Sequence, residues 1–202
     1  MTEDAIPTAP DEDSTERDEQ SIGRDGRDEF ARWRADTRRA LATADTARID
    51  LYVRSLLPPP GAKDAQTDVL AGLRGAIEGT PVEDVAVNVW GERLCLCEAC
   101  LGTDAGRAML NTVREFERWG AEYDASAEPF FERTHQESSV TGSTYEGIVP
   151  PRVTAALYLD SSLAGVFPAR FDEQAYSVGD LSEVLVGLTG PEAVADVLEP
   201  SH

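Results

Sequence analysis

Lysine is nearly missing from this chain. Lys63 is the only one in 202 residues, and the other 17 basic residues are arginines. Histidine occurs twice, at His135 and His202, so His135 is the only imidazole away from the end of the chain. No run approaches the ~20 consecutive apolar residues of a membrane helix. The opening MTEDAIPTAPDED has neither the basic stretch nor the apolar core of a secretory leader. These absences predict a cytoplasmic protein with no membrane partner. Also absent are a Gly-x-Gly-x-x-Gly after a strand, a Walker loop and a Gly-x-Ser-x-Gly elbow, so the common dinucleotide, nucleotide and serine-hydrolase signatures are lacking.

Acid dominates what is there. The chain has 38 acidic residues against 18 basic ones, a net charge of −20. Residues 1–28 hold ten acids and three arginines, which leaves −13 of the −20 on residues 29–202. Such a surface repels itself, and only concentrated cation screens it well. The composition therefore reads as that of a halophile's cytoplasm, a haloarchaeon's. Sequence-independent affinity for nucleic acid comes from Lys and Arg neutralising phosphates. A body at −13 with no evident basic face argues against nucleic acid as a partner. At 41% hydrophobic residues the chain still has enough to bury a core.

The pattern along the chain divides it into four parts. Residues 1–26 are polar and charged and read as a disordered acidic tail. Residues 27–46 read as an N-terminal helix with Phe30, Trp33, Thr37 and Leu41 near one face and Arg32, Arg34, Arg38 and Arg39 largely elsewhere. Residues 47–190 form a single α/β core, and 191–202 a short tail. Within the core, Ile49, Leu51 and Val53 alternate with polar positions as a strand does. A helix follows over 65–77, with Val69, Leu70, Leu73 and Ile77 as its stripe. A second strand places Val85, Val87 and Val89 on one side. Thr103 is a good N-cap for a helix carrying Met109, Val113, Phe116 and Trp119. A short strand over AEPFFERTH precedes a Ser/Thr/Gly-rich connection at 136–148. A hairpin then turns at Asp160–Ser162, and Val178, Leu181, Val184, Leu185 and Leu188 outline a closing helix. The order is helix, then β-α-β-α-β-β-β-α: an α+β fold, a mixed sheet with flanking helices. Strands separate the helices, which argues against a helix-turn-helix in the core and leaves the arginine-rich helix as the only piece suited to touching DNA.

The chemistry-bearing feature is ERLCLCEACLGTD, residues 92–104, where Cys95, Cys97 and Cys100 read C-x-C-x-x-C. Three readings stand side by side. A thiol at a helix start has its thiolate stabilised, which suits Cys100 as nucleophile and Cys97 as its resolving partner in a thiol–disulfide oxidoreductase. Alternatively Cys95, Cys97, Cys100 and His135 supply four ligands to zinc. Or the three are small apolar residues of a core. His135 with Ser138, Ser139 or Ser143 would be a further triad only if geometry brought them together. The loop SSVTGSTYEG, with two glycines and Tyr145, is a minor ligand-binding candidate.

Two resemblances add to this. The element order over about 48–188 resembles the thioredoxin-like fold, whose hairpin follows a cis-proline; Pro150 or Pro151 would take that place. That fold carries its redox cysteines in the loop after its first strand, whereas SLLPPPGAKDAQ holds none. At residue level the chain is similar to a family of small acidic haloarchaeal proteins, some labelled helix-turn-helix. The matching residues are Leu51–Leu56, Val89–Gly91, Gly106–Arg107, Phe116, Trp119, Pro129–Phe131, Thr141–Gly142, Tyr145 and Ile148–Val149. That resemblance implies kinship without a mechanism. The resulting expectation is a non-catalytic interaction or regulatory module, with a thiol redox or zinc-binding protein and a DNA-associated regulator as alternatives.

Overall fold

The computed structural model describes residues 29–57, 62–137 and 144–187. The two tails and the loop serines therefore lie outside the described residues. A helix, α1, is described over 29–41 and ends short of the residue 46 that its pattern suggests. Then come β1 (Ala47–Val53), α2 (Ala62–Ile77), β2 (Val82–Val89), β3 (Leu94–Cys95), α3 (Glu98–Leu101), α4 (Asp104–Glu122) and β4 (Ala125–Ser126). A 3-10 turn at Glu128–Phe130 leads into β5 (Glu132–Glu137), β6 (Thr144–Val149), β7 (Val153–Leu159), β8 (Ser162–Phe167), β9 (Ala169–Phe171), β10 (Gln174–Tyr176) and α5 (Val178–Val186).

The main sheet is mixed, with strand order β2-β1-β7-β8. β1 and β2 run parallel because α2 carries the chain back between them. β7 pairs antiparallel with both β1 and β8. Ala47, Ile49, Leu51 and Val53 are all at most 3% exposed, so the alternate face of β1 is sealed. Tyr52, on its other face, meets Phe116 of α4 edge-on at 5.7 Å. Helices thus cover both faces, with α2 and α5 packed on each other and α4 against β8.

The hairpin turns at Asp160 and Ser161, both in the left-handed region (φ 48° and 68°), which matches the twist of a tight two-residue turn. Asp160 also accepts from the amides of Asp45 and Thr46, both at 2.9 Å, and so holds the entry to β1. Helix α1 is anchored by aromatic packing. Trp33 is 2% exposed, lies 5.0 Å from Phe167, and donates its indole N–H to the Ala164 carbonyl at 2.9 Å. Trp119 of α4 donates to the same carbonyl at 3.0 Å, so one oxygen ties two helices to β8.

Val87 and Val89 are 40% and 44% exposed on β2, the edge of the main sheet. Three expectations change here. The connection at 136–148 ends in a strand, β6, which sits between β3 and β5 in a separate small sheet. The cis peptide among the described residues is Phe167–Pro168, not a bond to Pro150 or Pro151. Finally, α3 and α4 follow one another with no strand between them. Among the described residues no helix is long and apolar enough to cross a membrane.

Candidate functional site: the thiol trio and the helix pair it adjoins

After Trp90 the chain turns at Gly91, whose φ of 78° suits glycine. It enters β3, which β6 receives through the pairs Leu94–Ile148 and Cys95–Gly147. The amide of Leu96 then donates to the Glu146 carbonyl at 2.9 Å. This pins Cys95 to a strand some fifty residues away in sequence. Cys97 is the N-cap of α3, with extended backbone and a side chain that makes no cap bond. Its thiol is therefore left free for other partners.

The three sulfurs converge: Cys95 Sγ lies 3.1 Å from Cys97 Sγ, and all three lie within 4.8 Å of one another. All three are free thiols and half-buried. Their acidities diverge. The Cys95 thiol hydrogen-bonds to Cys97 and, with the amides at the start of α3, holds the Cys97 thiol down to about 7. Cys100, hydrogen-bonded to Cys97 and Cys95 and close to any charge they carry, is pushed up to about 11. Of the two, Cys97 is the thiol whose thiolate these surroundings favour, and Cys100 the one they disfavour. Cys100 stands inside α3, while Cys97 stands at its start, where the amides point.

His135 is elsewhere. It sits on β5, its Nε2 is 3.0 Å from Glu146 Oε1, and it is outside the group formed by the three sulfurs. Ser138, Ser139 and Ser143 lie outside the described residues, as does most of the SSVTGSTYEG loop. The described ligand set for a metal ion such as zinc is thus three thiols.

Two residues, Gly102 and Thr103, separate α3 from α4. Thr103 Oγ1 accepts from the Gly106 amide at 3.0 Å as N-cap of α4, and donates to the Cys100 carbonyl at 2.7 Å. The Thr103 amide reaches the same carbonyl at 3.1 Å. Gly106 packs so closely on that carbonyl that a Cβ built there would stand 2.2 Å from the oxygen. Arg107 of α4 donates back to the Gly102 carbonyl at 2.8 Å and pairs with Asp104. The two helices are locked together by the residues that join them.

The buried side of α4 carries Val113, Phe116 and Trp119. Its exposed side carries Arg107, Asn111, Arg114 and Arg118, spaced at i, i+4, i+7 and i+11 along one stripe. Asn111, Arg114, Glu117, Arg118 and Ala121 line an open groove along this side. Glu117, the acid among them, is paired at 3.1 Å with Arg133 of β5. The stripe was not singled out in the sequence because the acids that alternate with it hide it in a linear reading.

A family model described as a helix-turn-helix domain matches residues 41–187. The chain belongs to that helix-turn-helix domain family. No curated protein and no solved structure matches it. Membership of this family overturns the expectation that nucleic acid is not a partner, since such a domain points toward nucleic acid. The misreading has a physical source: a net charge of −20 is a sum over the chain, whereas contact is made by one face. The objection that strands separate all the helices fails for the same stretch, because α3 is a single turn too short to leave a periodic pattern.

Proposed function

We propose that this protein is a DNA-associated regulator that presents α4 to duplex DNA and has no catalytic role. Its setting is the cytoplasm of a halophile. The observation that carries the reading is the exposed stripe Arg107, Asn111, Arg114 and Arg118 on the second helix of a tightly joined pair, within a helix-turn-helix domain family. Arginine suits the acceptor edge of guanine, and asparagine the donor–acceptor edge of adenine. At about 1.5 Å per residue the stripe runs roughly 16 Å, short enough to lie in one major groove. The acidic body opposes the approach of DNA at low salt. At about 1 M salt the screening length falls to roughly 3 Å, which removes most of that repulsion; the same salt weakens contacts to phosphate, so hydrogen bonds to base edges carry the binding.

The test is a selection from randomised duplex DNA in molar KCl, followed by titration of an enriched duplex by fluorescence anisotropy. Replacing Arg114 and Arg118 together by alanine is expected to weaken binding by about ten-fold or more, with the circular dichroism spectrum unchanged. Replacing Arg38 and Arg39 should leave affinity as it is, since both belong to α1 and not to the stripe on α4. If no duplex is enriched, or the α4 double variant binds as the native chain does, the reading fails.

A further inference from the structure

We propose that Cys95, Cys97 and Cys100 form a regulatory site for a soft, thiophilic ion of the copper(I) class that accepts three thiolates, and that filling it changes how α4 holds DNA. The second half rests on the reading of α4 above. The first half stands on geometry. With metal–thiolate bonds of about 2.3 Å, three sulfurs in a trigonal set stand roughly 4 Å apart. Here they lie within 4.8 Å of one another, with Cys95 Sγ 3.1 Å from Cys97 Sγ, so only small side-chain movements are needed. The set stops at three among the described residues, and the imidazole of His135 lies outside it, beside Glu146 at 3.0 Å. Thiolates suit both zinc and copper(I), but zinc prefers a fourth ligand, whereas copper(I), a soft d10 ion, is satisfied by three thiolates in a trigonal set. The sulfurs are half-buried, so an ion can reach them from solvent.

The same residues connect the site to α4. Two thiols belong to α3 or its cap and one to β3, so an ion draws β3 and α3 together. Any shift of Cys100 carries its carbonyl, which is bonded to Thr103 and lies against Gly106 with no room to slide. The first turn of α4 must follow, and that turn carries Arg107, the first member of the stripe. Binding involves no change of oxidation state. The protons of those thiols still protonated pass to solvent, and three metal–sulfur bonds form.

The experiment uses the full chain, reduced and under nitrogen, in molar KCl, titrated with copper(I) supplied as its acetonitrile complex. Thiolate-to-metal absorption should saturate at one ion per chain with release of protons, and X-ray absorption should find three sulfurs and no lighter ligand. Cys97→Ser and Cys100→Ser should each abolish stoichiometric uptake; the native chain alone decides the point if a variant misfolds. The affinity for the selected duplex, read by anisotropy, should then change by about ten-fold on adding one equivalent. Failure of the native chain to take up one ion overturns the site, and so does a four-coordinate complex with zinc preferred over copper(I). Uptake with unchanged DNA affinity overturns the regulation. Absence of DNA binding with and without the ion overturns the reading of α4 and the regulation with it, while the stoichiometry still judges the site. A change in DNA binding driven by air oxidation to a Cys95–Cys97 disulfide, with no ion taken up, overturns the proposal in favour of a thiol redox switch.

Discussion

Replacing glycine by alanine inside a helix ordinarily stabilises it by about 0.5–1 kcal/mol, because alanine loses less backbone entropy on folding. Gly106→Ala should do the opposite. The new methyl would stand 2.2 Å from the Cys100 carbonyl oxygen and 2.9 Å from its carbon, and both are backbone atoms that cannot rotate away. Ordinary contact requires α3 to retreat by about 1 Å, which would stretch the bonds from Thr103 to that carbonyl. Overpacking of this kind typically costs about 1–3 kcal/mol, enough to outweigh the gain in helix propensity. A net loss of about 1–2 kcal/mol follows, or roughly 3–6 °C in Tm for a chain of this size. Gly72→Ala and Gly75→Ala in α2 serve as controls, since a Cβ at either position meets nothing within 4 Å. Both should gain stability. Urea unfolding in molar KCl, followed by tryptophan fluorescence, measures all three. If Gly106→Ala is as stable as the native chain or more so, α3 is not seated on α4, and the link between thiols and helix collapses.

Other outcomes follow from the same structure. Trp33→Ala should cost about 3–5 kcal/mol in the same assay, since the ring is 2% exposed and fills the space over Gly165. Trp33→Phe, which keeps most of the ring but removes the donor to Ala164, should lose much less; equal losses would show that the indole N–H bond rather than packing holds α1. In the metal-free chain, alkylation by iodoacetamide with mass mapping should find Cys97 reacting first. Its rate should climb as pH rises through about 7, where the thiolate forms, while Cys100 lags until near pH 11. Uniform labelling of the three would refute the assigned order.

Much of this was legible in the linear chain. Period-two alternation at Ile49, Leu51 and Val53 marks β1, and the stripe Val113, Phe116 and Trp119 marks the buried face of α4 behind its Thr103 cap. The hairpin turn, read at Asp160–Ser162 and found at Asp160–Ser161, declares itself by residues that favour turns. These features are local: each depends on neighbours within a turn or two, and sequence carries such information directly. The acid excess and the C-x-C-x-x-C spacing are equally plain in the linear chain.

What the tertiary structure alone decided is long-range. The valines of β2 fall on one side by alternation, but only the strand order places them at an edge. TYEGIV reads as loop because its pairing with β3 and β5, not its own composition, makes it a strand. Spacing named the three cysteines, yet only the seating of β3 on β6 and the single turn of α3 turn them inward on one another and leave His135 aside. Likewise the arginines of α4 become a face only when the other side of the helix is buried. Local periodicity determined which segments fold; the closing of distant segments onto each other determined which side chains meet, because that depends on contacts whose energies no short stretch of chain contains.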